Sequence, residues 1–156
     1  MTIKVVLNNN SKSTGIPSKK KFEAWISPLF ILLKKEFPGN TAEVCITIVN
    51  KKQSQQLNKK YRKKNKPTNI LSFWYDAIPG IKTKSLGDLV ICADVVKAEA
   101  KSQQKLLASH WAHLTLHGVL HLLGYDHENN RDAAKMESIE IKLLKKLGFG
   151  NPYEII

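Results

Sequence analysis

Cysteines and long apolar runs are both scarce in this sequence of 156 residues. Cys45 and Cys92 are its two cysteines, and each lies within an apolar run, so we expect reduced, buried thiols rather than a disulfide. Such thiols favour a reducing compartment. The longest apolar patch, AWISPLFILL, has about half of the roughly 20 residues that a membrane-spanning helix needs. No signal-peptide pattern follows Met1, so these absences predict a cytoplasmic protein with no membrane partner.

Acidic residues are also few, because 13 Asp and Glu stand against 25 Lys and Arg, for a formal charge of +12. This excess favours a polyanionic partner such as RNA, although basic domains of this size that bind no nucleic acid are about as common. The placement of the charges must therefore decide. Six of the eight positions from 59 to 66 are basic, namely Lys59, Lys60, Arg62, Lys63, Lys64 and Lys66. This run beside Tyr61 is either a solvated lysine face or, next to a metal site, a track for a phosphate backbone.

The periodicity of apolar residues predicts one domain, residues 1–156, in which strands and helices alternate. Strands are predicted at 3–7, 42–49, 69–75 and 86–93, and helices at 19–37, 51–62, 94–124 and 130–147. Pro28 should kink or split the first helix, and the segment 94–124 should form two helices that meet near Ser109. Gly80, Gly87 and the polar residues between them should make a long hairpin connection to the fourth strand, and Gly148 should cap the last helix. The order βαβαββ followed by helices predicts an α+β fold, with helices packed on one mixed four-stranded sheet.

All five histidines of the chain fall between residues 110 and 127. Any one of them alone is better explained as a hydrogen-bonding group on a helix face. In the segment HGVLHLLGYDH, however, His117 and His121 are four residues apart, so both imidazoles project from one face of a helix. Gly124 permits the left-handed turn that would bring His127 to the same point. Three neutral imidazoles with one open position are typical of catalytic zinc, so we predict one zinc ion per chain held by these three histidines.

The same window matches the metzincin pattern H-E-x-x-H-x-x-G-x-x-H at every position except one, where Gly118 replaces the glutamate. A metzincin peptidase requires that carboxylate as its general base, so the glycine argues against ordinary peptide hydrolysis and leaves metal binding intact. The base must come from elsewhere or be a metal-bound hydroxide. His110 and His113 are expected to be core or supporting groups. Three acidic residues remain that could orient a histidine or accept a proton: Asp126, Glu137 and Glu140. For the two glutamates, pairing along a helix surface is the favoured role.

Several motifs resemble those of one known family. HGVLHLLGYDH followed by MESIE, together with LNKKYRKKNKPTNILSFW and LGDLVICADVVKAEA upstream, resembles the YbeY endoribonuclease family of bacterial ribosomal-RNA maturation factors, from Leu57 to Gly148. The resemblance implies a metal-dependent endonuclease of single-stranded RNA that acts in 3′-end processing of small-subunit rRNA and in ribosome quality control. By this resemblance, the family's metal ligands correspond to His117, His121 and His127, and its functional arginine corresponds to Arg62. Trp74 departs from the family, which usually has proline after Ser-Phe, and this departure bears on the path of that strand.

These observations together predict hydrolysis of RNA phosphodiester bonds at a zinc centre, with Arg62, His117 and His121 as catalytic residues. The metal would polarise a phosphoryl oxygen and lower the pKa of bound water towards about 7, and Arg62 would neutralise charge that develops at phosphorus. Arg62 could instead be structural, by capping its helix or pairing with Asp88. The expected partners are single-stranded ribosomal RNA, the small ribosomal subunit and its assembly proteins. Two other functions stay open: a non-catalytic ribosome-assembly factor with a structural metal, and a metallopeptidase-like amide hydrolase.

Overall fold

A mixed four-stranded sheet is the element on which the helices pack. The computed structural model describes residues 2–34, 38–74 and 85–154. The strands are β1 Thr2–Asn9, β2 Thr41–Val49, β3 Ile70–Trp74 and β4 Ser85–Cys92, and the helices are α1 Lys19–Leu33, α2 Lys51–Arg62, α3 Ala93–Ser102, α4 Leu107–Leu122 and α5 Asn130–Lys146. In the order β1-β2-β4-β3, strands β1, β2 and β4 are parallel and β3 is antiparallel to β4. The predicted α+β class is confirmed.

The core is built from the two central strands and from helices α1 and α4. Apolar residues such as Ile46 in β2 and Leu89 in β4 are fully buried, as expected for parallel strands covered by helices. Phe22 of α1 meets Trp111 of α4 edge to face, with ring centroids 6.1 Å apart. Ten of the 16 residues of α4 are buried, so packing holds this helix firmly in place. Any site carried by α4 therefore rests on the core.

The first helix is not split at Pro28, and it ends earlier than predicted. It runs through Pro28 without a break, and it ends at Leu33, after which Lys34 adopts a left-handed conformation with φ 51°. Proline removes one backbone hydrogen bond, but Ile26 and Leu29 on either side of it are fully buried. Packing of both halves against the core thus keeps the helix continuous. The predicted helical residues 35–37 lie outside the described residues.

The break between the third and fourth helices lies earlier than predicted. Helix α3 ends at Ser102 and α4 begins at Leu107, so the prediction of a junction near Ser109 is wrong by several residues. Gln104 takes a left-handed conformation (φ 54°), and the Lys105 N–H donates to the Ala100 carbonyl at 2.9 Å. This turn ends α3 without a glycine. Tyr75 and Gly80, which were predicted in the third strand and in the connection after it, lie outside the described residues.

The predictions drawn from the few cysteines and from the lack of long apolar runs can be compared with the structure. Cys45 and Cys92 are both free thiols, as predicted, but Cys92 alone of the two is buried, whereas Cys45 is half-buried. Burial raises the pKa of both thiols. Among the described residues, no helix has the length and apolar character needed to cross a membrane.

Candidate metal centre

Helix α4 packs closely against the sheet at Gly118. A Cβ atom there would lie 2.6 Å from Ile70 Cδ1 and 2.8 Å from Leu89 Cδ2, so a larger residue would force these buried side chains apart. Ser72 Oγ also donates a hydrogen bond to the Gly118 carbonyl at 3.2 Å. This contact fixes the rotation of α4 about its axis. A glutamate at position 118, as in metzincins, would point into the apolar contact between α4 and the sheet.

The side chains of His117, His121 and His127 converge on one point. Their ligand atoms all lie within 4.8 Å of one another, and the Nε2 atoms of His117 and His121 are 3.1 Å apart. Two nitrogens bound to one tetrahedral zinc at about 2.0–2.1 Å would be separated by about 3.3 Å. The ring of His127 completes the group, with centroids 5.0 Å from His121 and 5.5 Å from His117. The three imidazoles could therefore hold a single metal ion.

His127 reaches this point because the chain reverses at Gly124. Gly124 has φ 95°. Its N–H donates to the backbone carbonyl of His121, and the Tyr125 N–H donates to that of Leu120, each at 3.0 Å. This is the left-handed helix end that the sequence predicts. A Cβ at Gly124 would meet nothing within 4 Å, so the backbone conformation rather than space favours glycine. His127 itself is 56% exposed, which leaves this side of the centre open to solvent.

Glu140 of α5 holds His117 from the interior. Its Oε1 lies 2.6 Å from His117 Nδ1, while its Oε2 accepts hydrogen bonds from His113 Nε2, at 3.2 Å, and from the Tyr153 hydroxyl. Burial alone would raise the pKa of this carboxyl, but the hydrogen bonds from His113 and His117 outweigh burial and lower its pKa to about 2. The ionised Glu140 keeps a proton on His117 Nδ1 and leaves Nε2 free for a metal.

The interpretation of Glu140 as a helix-pairing residue is therefore wrong. Its side chain is fully buried and binds two histidines, whereas Glu137, one turn earlier, is exposed. The hydroxyl of Tyr153 shares the same carboxylate, and its ring centroid lies 5.3 Å from that of His113. Burial, followed by the neighbouring Glu140, raises the pKa of Tyr153 and keeps it a hydrogen-bond donor. Tyr153 lies beyond the last helix, where no spacing pattern in the sequence indicates a role.

A second group with metal-ligand chemistry lies behind the first. His113, His117 and Glu140 also bring one ligand atom each to within 4.8 Å of one another. The 2.6 Å separation of His117 Nδ1 and Glu140 Oε1 is a hydrogen-bond distance, however, and is shorter than the roughly 3.3 Å between two zinc ligands. Because Glu140 is fully buried, this group also lacks access for substrate. It is better described as the support of the three-histidine group.

The protonation of the histidines agrees with these positions. Burial, with the neighbouring His117 and His127, lowers the pKa of His121 to about 4, so its imidazole is neutral at pH 7 and can bind a metal. His110 is buried away from the cluster, with Nε2 3.1 Å from Glu99 Oε1, and burial lowers its pKa as well. His110 is thus a core residue, in agreement with the sequence prediction.

Arg62 is placed by the way α2 ends. It is the last residue of that helix, and two buried polar side chains tie the following loop back to α2. Asn58 Nδ2 donates to the Lys66 carbonyl at 2.8 Å, and Ser54 Oγ donates to the Thr68 carbonyl at 2.9 Å. Within the described ranges Arg62 forms no ion pair with a carboxylate. The alternative structural role of Arg62, an ion pair with Asp88, is therefore not observed there. The other basic residues of the run 59–66 are also exposed.

Two adjoining cavities meet at the candidate centre. The smaller, of about 190 Å³, is lined by Arg62 and by all three convergent histidines, together with Ser72 and Tyr153. The larger, of about 560 Å³, is lined again by Arg62, His121 and His127 and extends to Trp74 and the turn 122–126. Arg62, His121 and His127 thus line both the compact cavity and the wider one. The sequence places Trp74 at a strand end but gives no sign that it lines a cavity.

Comparison with known proteins agrees with this architecture. The family model described as Endoribonuclease YbeY matches residues 6–148. Endoribonuclease YbeY from Colwellia psychrerythraea is 49% identical over 140 residues, which cover 90% of each chain. A Thermotoga maritima protein solved in solution shares the fold, with a TM-score of 0.57 and 21% identity over 97% of this chain and 99% of that one. By the family model and the extent of this identity, the chain belongs to the YbeY endoribonuclease family.

Proposed function

We propose that this chain is a zinc-dependent endoribonuclease that hydrolyses single-stranded RNA at the centre formed by His117, His121 and His127. The observation that carries the proposal is the convergence of these three imidazoles on a cavity that they share with Arg62. Structural zinc sites close the fourth position with another protein ligand, whereas catalytic sites leave it open. The exposure of His127 favours the open kind.

Each residue has a distinct part in this proposal. Arg62 offers a planar fork of donors that can contact two phosphate oxygens at once and offset charge that develops at phosphorus. His117 and His121 hold the centre on a helix fixed by core packing, and Glu140 orients His117 through its Nδ1 proton. A zinc ion bound there supplies Lewis acidity to a phosphoryl oxygen and lowers the pKa of water towards about 7. Gly118 supplies no carboxylate, which disfavours a peptidase.

The proposed substrate is the 3′ region of small-subunit ribosomal RNA. The exposed basic run 59–66 ends α2 beside the centre and can bind successive phosphates of a flexible strand. Membership of an endoribonuclease family supports RNA as the class of substrate. In this role the chain would work in the cytoplasm, in contact with the small ribosomal subunit and its assembly proteins.

Metal content and RNA cleavage, measured on the same preparations, test the proposal. The wild type should carry about one zinc ion per chain and cleave a single-stranded rRNA fragment faster than the same sequence in a duplex. His127→Ala should lose both zinc and cleavage. His110→Ala is the matched control, because His110 lies on α4 but contacts Glu99 rather than the cluster. It should keep both properties.

Two further results would contradict parts of the proposal. If His113→Ala strips zinc as fully as His121→Ala, the buried group that includes Glu140 holds the metal and the proposed ligands are wrong. If the zinc-loaded wild type binds RNA without cleaving it, the chain is a non-catalytic assembly factor. Hydrolysis of peptides but not of RNA would instead support the amide hydrolase.

A further inference from the structure

Trp74 differs from the other tryptophans of the chain in its exposure. Its side chain is 62% exposed, whereas Trp25 and Trp111 are 5% and 1% exposed. Indole rings are usually well buried, because they carry a large apolar surface. An exposed indole on the wall of a cavity is therefore a candidate contact for a flat ligand.

The register of the sheet explains why Trp74 faces the candidate centre. Ile70 and Ser72 both lie against Gly118 of α4, and side chains two residues apart share one face of a strand. Trp74 continues this face towards the end of α4. Opposite it, Gly87 has φ 140°, and a Cβ there would lie 2.8 Å from the Trp74 Cα. This close approach of β4 fixes the backbone that carries the indole.

The two cavities connect the indole with the candidate centre. The larger cavity, of about 560 Å³, has Trp74 on its wall and shares Arg62, His121 and His127 with the smaller one. Its volume falls within the roughly 300–1,000 Å³ of pockets that accept small organic ligands. A phosphate held between Arg62 and the histidines would leave its neighbouring base next to this larger space.

We propose that the larger cavity is a nucleobase subsite, in which Trp74 stacks on one unpaired base of the RNA whose phosphate lies at Arg62. The inference rests on the proposed function and deepens it, because it names a source of the preference for single strands. A paired base is covered on both faces by its neighbours in the duplex, whereas an unpaired base can turn a face to an aromatic ring. The exposed Lys63 and Lys64 beside Arg62 complement the flanking phosphates.

Tryptophan fluorescence tests the subsite directly, because Trp74 is the exposed indole and the other two are buried. The purified chain of 156 residues is titrated with single-stranded hexaadenylate and with a hexamer of abasic riboses that has the same phosphates. Hexaadenylate should quench the emission and bind about tenfold more tightly than the abasic hexamer, towards the lower end of the range for one stacked base. The abasic hexamer should bind without quenching. Each titration is completed before cleavage becomes detectable, and gel analysis of the samples confirms that the RNA is still intact when the emission is read.

Three variants separate stacking from other contributions. Trp74→Ala should bind both hexamers with equal affinity, at the level of the wild type with the abasic hexamer. Trp74→Phe should keep most of the preference for bases, measured by anisotropy of labelled RNA, and lose the quenching. Leu106→Ala is the control for the loss of an exposed apolar side chain, because Leu106 is 76% exposed, precedes α4 at the end far from His121 and lines neither cavity. It should keep both the preference and the quenching.

Several outcomes would overturn the subsite. Equal affinity of the wild type for the two hexamers, or an unchanged preference in Trp74→Ala, would show that the ring does not bind a base. Emission that depends on protein concentration without RNA would assign Trp74 to a contact between two copies of the chain. RNA cleavage measured in parallel separates the two proposals. Quenching without cleavage contradicts the proposed function alone, and cleavage without quenching contradicts the subsite alone.

Discussion

Replacing Glu140 by glutamine keeps the shape of a buried side chain and removes its charge. The amide oxygen can still accept the 2.6 Å hydrogen bond from His117 Nδ1, but it is no longer an ionic acceptor. Hydrogen bonds to charged groups contribute about 1.5–3 kcal/mol and neutral ones about 0.5–1.5 kcal/mol. The difference of about 1–1.5 kcal/mol corresponds to a roughly five- to tenfold change in zinc affinity. This is near the lower end of the roughly 10–100-fold loss that follows mutation of residues hydrogen-bonded to metal ligands. Zinc should therefore bind Glu140→Gln about tenfold more weakly.

Competition with a chromophoric chelator at pH 7 measures this affinity, and urea denaturation in EDTA measures the stability of the metal-free fold. Glu137→Gln is the matched control, because Glu137 lies one turn earlier in α5 and is exposed. It should bind zinc as the wild type does. Equal zinc affinity in the Glu140 and Glu137 variants would refute the support of His117 by Glu140. A loss of stability without a loss of affinity would assign Glu140 to the core alone.

Three further predictions concern the centre and the helix that carries it. Arg62→Ala should keep the zinc content and melting temperature of the wild type, while the rate of cleavage falls by about 100-fold or more. Arg62→Lys should recover part of the activity, because the charge returns without the fork of donors. A large loss of thermal stability in Arg62→Ala would instead show that Arg62 is structural. Gly118→Glu completes the metzincin pattern and places a carboxylate in the contact with Ile70 and Leu89. It should therefore lower the free energy of unfolding by more than the roughly 1–3 kcal/mol that overpacking alone costs. A urea denaturation curve that matches the wild type would contradict this packing. Removal of zinc by a chelator should lower the melting temperature by about 5–10 °C, compared with protein in free zinc at 100 times the Kd, and should leave the helical circular dichroism signal intact. Unfolding on chelation would instead identify a structural metal.

Most of the fold could be predicted because its signals are local. The β-branched runs of β2 and β4 and the capping residues of α2 and α5 specify their elements within short windows. The errors arise where tertiary packing or an uncommon conformation dominates. Pro28 reads as a helix breaker, yet buried neighbours hold α1 together, and Gln104 ends α3 in a left-handed conformation usually associated with glycine.

The candidate site divides in the same way. His117, His121 and the turn at Gly124 lie within one short segment, so the convergence of the histidines could be predicted from spacing alone. Glu140 lies 23 residues from His117, and Tyr153 lies 40 residues from His113, so only the packing of α5 and the C-terminal segment against α4 brings them together. The cavity position of Trp74 likewise depends on the register of β3 with β4.

The glycine at position 118 connects the packing of the fold with the chemistry that it favours. In a metzincin this position carries the carboxylate that activates water for attack on a neutral peptide. Here it lies in the contact between α4 and the sheet, and the charged side chain that lines the smaller cavity with the three histidines is the cation Arg62. Asp126 lines the larger cavity, and Glu140 lies behind His117. A carboxylate in the smaller cavity would repel a phosphodiester, which already carries negative charge, whereas a guanidinium attracts it and stabilises further charge at phosphorus. The absence of the glutamate and the presence of Arg62 therefore favour the same anionic substrate.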